Sequence, residues 1–224
     1  MGTSGFTRWA ALSGALFVLL WVTAFVILGG TVESSDSDAD ILAYFADEGQ
    51  RARGLIAQIL LLVASLPFIL FISVLRGRLE TGEGGAGVWT MAAFGAGLVS
   101  TALWIVAATL YVLPFLERDG EGGFQFDLDA FRLLSGAGYI AWYSGGTIMS
   151  VLVLATSVVG IRAGVVPRWL SWLGFGVALS LLASFLLFPV IVLLAWLLTV
   201  SITLVWRRDI SGSPPSSIRS MKSS

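Results

Sequence analysis

Between Trp169 and Trp206 the chain runs for 38 residues without a charged side chain. One helix of that length would be about 57 Å long at 1.5 Å per residue, nearly twice the roughly 30 Å of a bilayer's hydrocarbon core. A soluble fold has no place for such a run, and a single membrane span cannot use it. The run must fold back on itself, and Pro189, near its midpoint, is where one helix ends most readily and sits well in the first turn of the next. Arg168 then lies on the same side as Arg207 and Arg208.

The rest of the chain repeats the theme. Of 224 residues, 57% are apolar and 12% charged, about half the charge needed to keep a soluble domain wet. Apolar stretches set off by charged or Gly-rich breaks predict an all-α, polytopic transmembrane bundle of six spans: approximately 9–29, 55–75, 89–115, 138–161, 169–187 and 189–206. The spans form one domain, 1–208, followed by a Ser- and Pro-rich cytoplasmic tail, 209–224, predicted to be disordered. The first span has no small-x-small cleavage pattern after it and reads as retained rather than as a signal peptide.

Charge sorts by side. Alternate loops collect Arg8, Arg76, Arg78, Arg162, Arg168, Arg207, Arg208, Arg219 and Lys222, which is nine of the thirteen basic residues, while the opposite loops hold eleven of the fourteen acids. Basic residues concentrate on the cytoplasmic side, so both termini are expected there. Trp9, Trp89, Trp169, Trp172 and Trp206 fall near span ends, where an indole anchors in the headgroup layer.

Two outer loops read as amphipathic helices. In TVESSDSDADILAYFADEGQRARG, Ile41, Leu42, Phe45, Ala46 and Gly49 share one face, and Asp38 or Asp40 is the expected N-cap. In ERDGEGGFQFDLDAFRLLSG, Phe124, Leu128 and Phe131 oppose Gln125, Asp129 and Arg132. Two such caps could cover an outward cavity. Asp36, Asp38, Asp40 and Asp47 imitate a calcium loop, but Ile41 stands where the turn needs glycine and Asp47 is shorter than the bidentate Glu. The run reads as helix capping.

The chain has no Cys and no His, and the expected span interiors hold no Asp, Glu, Lys or Arg. That argues against proton relays, ion-coupled pumps, voltage sensors and intramembrane proteases. A non-enzymatic protein with no metal and no cofactor is expected, with membrane lipids and either a membrane-protein partner or a second copy as partners, and no nucleic acid. What remains inside are uncharged stripes: Gln58, Ser65 and Ser73 on the second span, with Pro67 expected to kink it; Gly97, Thr101, Trp104, Ala108 and Tyr111 on the third; Tyr139, Tyr143, Thr147, Ser150 and Ser157 on the fourth. Such residues commonly serve helix packing. The functional alternative is a groove for an uncharged or lipid-like ligand, with Gln58, Thr101, Tyr143 and Thr147 as binding residues. Two function classes follow: an accessory, regulatory or lipid-binding membrane protein, or a small permease for an uncharged or hydrophobic solute.

The segments ILAYFADEGQRARGLIAQILLLVASLPFILFISVLRGRLE, VLATSVVGIRAGVVPRWLSWLG and LLAWLLTVSITLVW resemble a broad group of bacterial six-span integral membrane proteins classed as a domain of unknown function. The likeness covers most of 8–208 in pattern. It implies a six-helix bundle in a bacterial plasma membrane, and no activity or site residues.

Overall fold

A computed structural model describes residues 3–29, 31–85, 87–116, 127–182 and 187–206. The chain is all-α, with seven helices among those residues: α1 Thr3–Leu28, α2 Asp38–Ala46, α3 Glu48–Glu83, α4 Val88–Val112, α5 Leu128–Ala163, α6 Arg168–Leu181 and α7 Leu187–Trp206. A 3₁₀ turn, Leu113–Leu116, extends α4. Three helical segments, Glu48–Glu83, Val88–Leu116 and Leu128–Ala163, are long and apolar enough to cross a membrane; Leu12–Leu28 and Pro189–Val205 are shorter apolar helices.

Chain neighbours are also spatial neighbours. Helix α1 packs on α3, α3 on α4, α4 on α5, α5 on α6, α6 on α7, and α7 returns to α1. The six helices thus close a ring, with α3 also touching α5. The expected fold-back of the uncharged run is present as α6 and α7, which pack together, and Pro189 sits in the first turn of α7. There its missing N–H costs nothing, because the first N–H groups of a helix have no partner within it.

The packing of α3 is amphipathic without being polar. Ala57, Ala64, Phe68, Phe71, Ile72, Leu75 and Leu79 are buried, while Ile56, Ile59, Val63, Leu66 and Leu70 recur every three or four residues along an exposed face, Leu66 at 63%. An exposed apolar stripe of this length is costly in water and neutral against hydrocarbon. The helix continues through Pro67 from Glu48 to Glu83. At 36 residues it is about 54 Å long and extends beyond a hydrocarbon core at one end or both.

The caps show how local chemistry sets these lengths. Glycines with positive φ, Gly84 (75°) and Gly164 (67°), end α3 and α5 in the left-handed conformation that side chains resist. Gly87 precedes α4 and offers no side-chain cap. Glu83 supplies it from across the turn, accepting from Thr90 N at 2.7 Å and Thr90 Oγ1 at 2.6 Å.

Four expectations need correction. The N-cap of α2 is Ser37, whose Oγ accepts from Asp40 N at 3.2 Å, and Asp38 and Asp40 lie in the first turn. The buried face of α2 is Ile41, Tyr44 and Phe45; Leu42 and Ala46 are exposed. Gly49 belongs to α3, because Asp47 ends α2 and caps α3. The second outer cap is not a separate helix over Leu128, Asp129, Phe131 and Arg132; those residues are the first turns of α5, capped by Asp127. Phe124 and Gln125 lie outside the described residues, as does the tail 209–224.

Asp47 carries a pH prediction. Its Oδ1 accepts from Gly49 N at 2.8 Å and Gln50 N at 3.0 Å, and its Oδ2 from Gln50 Nε2 at 3.3 Å. Those bonds, led by the one from the Gln50 N–H, hold its carboxyl below the ordinary 3.8. A depressed folded-state pKa contributes stability that is present above the unfolded value and lost as pH falls through the folded one. The start of α3 should therefore show faster amide exchange as pH drops below 3.8, after correction for the intrinsic rate. Asp47→Asn should flatten that dependence.

Candidate functional site

A cavity of about 460 Å³ lies where α1, α3, α4, α5 and α7 meet the linker after α1, with α2 beside it. Each helix supplies a short stripe at helical spacing. Phe25 and Leu28 come from α1, Gln58 and Leu61 from α3, Ala108, Tyr111 and Phe115 from α4 with its terminal turn, and Phe131, Ser135, Tyr139 and Trp142 from α5. Val190 closes the α7 side, and Thr31, Val32, Glu33 and Ser34 form the linker edge.

Aromatic packing sets the cap above it. Phe45 meets Phe115 at 5.2 Å and Phe131 at 5.4 Å between centroids, and Tyr44 lies 5.4 Å from Phe45. Gly54 lets α3 pass beneath this group, since a Cβ there would meet the Phe115 ring and come within 3.1 Å of the Tyr44 hydroxyl. The Tyr44 hydroxyl donates to Gln50 O at 3.3 Å, and burial raises its pKa against the opposing charge of Arg53. It stays a neutral phenol at physiological pH. Arg132 ties α5 to the linker: its Nη2 donates to Asp38 Oδ1 at 2.6 Å and Asp36 O at 3.4 Å, and its Nε to Ser34 O at 3.3 Å. An exposed pair of this kind adds little stability but holds the cavity edge in register.

Below the cavity a ladder of rings fills the bundle. Trp21 contacts Trp142 at 5.0 Å, Trp104 at 4.8 Å and Phe17 at 5.2 Å. Trp142 is shared between ladder and cavity wall.

Gln58 is the polar residue that stands out. It is 6% exposed, and its Oε1 is buried with no hydrogen-bond partner among the described residues. An unpaired buried amide oxygen costs about 1–3 kcal/mol. The other three sequence candidates do not line the cavity. Thr101 Oγ1 donates to Gly97 O at 2.7 Å and Thr147 Oγ1 to Tyr143 O at 3.0 Å, each within its own helix. The Tyr143 hydroxyl donates to Leu182 O at 3.3 Å, joining α5 to the end of α6. Ser65, Ser73, Ser150 and Ser157 likewise donate to carbonyls of their own helices.

The α5 stripe was legible only in part. Tyr139 belongs both to the expected line and to the cavity, but the cavity follows Phe131, Ser135 and Trp142 towards the start of α5 rather than Tyr143 and Thr147 towards its end. Glu33, Tyr44, Phe25 and Trp142 escaped the polar-stripe reading because most of them are apolar or lie in loops. The third-span line already held Ala108 and Tyr111, and a search for aromatic residues near the same end of the other spans would have added Phe25 and Trp142. Among the tryptophans expected as anchors, Trp169 and Trp172 are exposed, and Trp89 is half-buried with the Arg162 guanidinium 5.9 Å from its ring centroid. The side chains of Trp9 and Trp206 fall outside the described set.

No family model matches the chain, and no curated protein or solved structure matches it either. The chemistry of the cavity therefore stands on its geometry.

Proposed function

We propose that this is a six-span, non-enzymatic membrane protein, with both termini cytoplasmic, that binds a lipid-like molecule in the cavity ringed by α2 and the outer ends of the long helices. The observation that carries this reading is Gln58. Gln58 lines the cavity and its Oε1 has no partner among the described residues; turning its side-chain amide toward a polar group of a ligand gives it a hydrogen bond made only on binding. The apolar wall suits a hydrocarbon or aromatic body. The sidedness of Arg and Lys supports the orientation.

Native mass spectrometry on protein extracted in a mild uncharged detergent tests the reading. A specific bound small molecule or lipid is expected, and Gln58→Leu should lower its occupancy about tenfold, the loss of one buried hydrogen bond. Ligand retained equally by both proteins would remove Gln58 from the site. A stoichiometric second polypeptide with no small molecule would instead make the chain an accessory subunit.

A further inference from the structure

Resting on that ligand-binding reading, we infer that the cavity selects a ligand with a cationic end, of the quaternary-ammonium class, attached to an apolar body. The described lining has one sign, and the Arg132 cation beside it is neutralised by Asp38. Phe25, Tyr44, Tyr111, Phe131, Tyr139 and Trp142 are among its aromatic residues, and the described lining includes no Lys or Arg. The only charged residue in that lining is Glu33. Ring faces carry negative electrostatic potential and attract organic cations that are weakly hydrated, and the attraction grows as water is excluded.

Glu33 is available for this role. Its nearest recorded side-chain contact is the Ser35 hydroxyl, which donates to Oε2 at 3.4 Å, and among the described residues no basic side chain pairs with it. Arg132, the cation beside the same linker, is already committed to Asp38 Oδ1 and to two backbone carbonyls. Arg53, whose charge is felt at Tyr44, is exposed. Gln58, on the α3 wall, serves a polar linkage between the cationic end and the apolar body, such as an ester or hydroxyl, since rotating its amide presents either a donor or an acceptor. The expectation of an uncharged ligand rested on the lack of ionisable groups within the spans; the carboxylate that matters lies on the linker at the cavity edge.

The test uses two probes of nearly equal shape, benzyltrimethylammonium and its neutral isostere neopentylbenzene. Each is titrated into the full chain in an uncharged maltoside detergent, with tryptophan fluorescence as the readout because Trp142 lies in the wall. The cation should bind about tenfold tighter than the isostere. Glu33→Gln, on an exposed linker where folding is not at stake, should weaken the cation about threefold to tenfold and leave the isostere unchanged. Displacement of the bound cation by a choline-headed lysolipid would identify a lipid headgroup as the natural source; cation binding that resists it would point to a free solute. Equal binding of both probes, indifferent to Glu33→Gln, would overturn charge selection while leaving ligand binding intact. Failure of both probes, with a neutral lipid retained in native mass spectrometry, would also overturn it. Failure of both with nothing retained would remove the ligand-binding reading as well.

Discussion

Gly174→Ala should lower the stability of the bundle, and Ser157→Ala on the same chain should restore most of it. A Cβ at Gly174 would meet Ser157 Oγ on α5 and come within 3.1 Å of Trp196 Nε1 on α7. Three helices converge there, and Trp196 Nε1 donates to Leu170 O at 3.1 Å across the same contact. Ser157 Oγ is itself held to Val153 O at 2.7 Å, so it cannot swing away without losing a buried hydrogen bond. Overpacking of this kind costs about 1–3 kcal/mol, whereas alanine's better helix propensity returns only about 1 kcal/mol. The steric term should win. Gly174→Leu should cost about 3 kcal/mol or more, since no single substitution at 157 makes room for it. Unfolding in mixed micelles with increasing dodecyl sulfate, followed by circular dichroism, measures each variant. A Gly174→Ala protein as stable as the parent, with no gain from Ser157→Ala, would mean that α5 and α6 do not approach so closely.

Phe68→Ala should cost about 2–3 kcal/mol in the same assay, while Leu66→Ala, two residues away, should change stability by less than about 0.5 kcal/mol. Phe68 is fully buried, with Phe17, Phe71 and Trp104 at 4.5, 6.1 and 6.1 Å. Leu66 is 63% exposed. In hydrocarbon the transfer term nearly vanishes, because lipid is as apolar as the side chain. What remains for Phe68 is the cavity term, about 24 cal/mol per Å³ of space that neighbours fail to refill. Lipid chains refill the space left at Leu66. Equal costs at the two positions would show that the ring ladder does not form the centre of the bundle. The contrast also separates this chain from a water-soluble fold, in which an exposed apolar stripe would be a liability rather than a neutral surface.

The helices were legible because their causes are local. An uncharged run too long for one span, with a proline at its middle, predicts two helices there, and α6 and α7 are present, although α6 ends at Leu181 rather than 187 and α7 begins at Leu187, two residues before Pro189. The same cues overestimated the second cap. Acidic Gly-rich residues before Leu128 suggested a separate helix, yet nothing in the sequence after Asp127 breaks α5, which runs 36 residues to Ala163. Capping was misread at α2, since Ser37, Asp38 and Asp40 are all good N-caps and only the backbone decides among them.

The cavity was legible in outline and wrong in detail. Helical spacing shows which residues share a face, but not the height at which neighbouring helices align or which end of a face is left unpacked. Tyr139 and Thr147 lie on one line of α5, and only the first reaches the cavity. Thr101 and Thr147 looked like ligand groups because a hydroxyl in lipid needs a partner; each finds one in the carbonyl four residues back, a contact available in any helix. Gln58 Oε1 has no partner among the described residues, which is also true of Ser100 Oγ and Thr156 Oγ1, and its place in the cavity wall is what separates it from them.

By itself, then, the sequence determined the all-α class, the apolar lengths, the fold-back at Pro189 and the separation of charge, all of which follow from chain-local chemistry. Only the tertiary structure decided that six helices close into a ring, that Asp47 divides the segment after α1 between α2 and α3, and that aromatic side chains from four helices and the 3₁₀ turn meet around one cavity with Gln58 in its wall. Those depend on how distant segments pack, and packing is set by the shapes of surfaces that no short stretch of sequence contains.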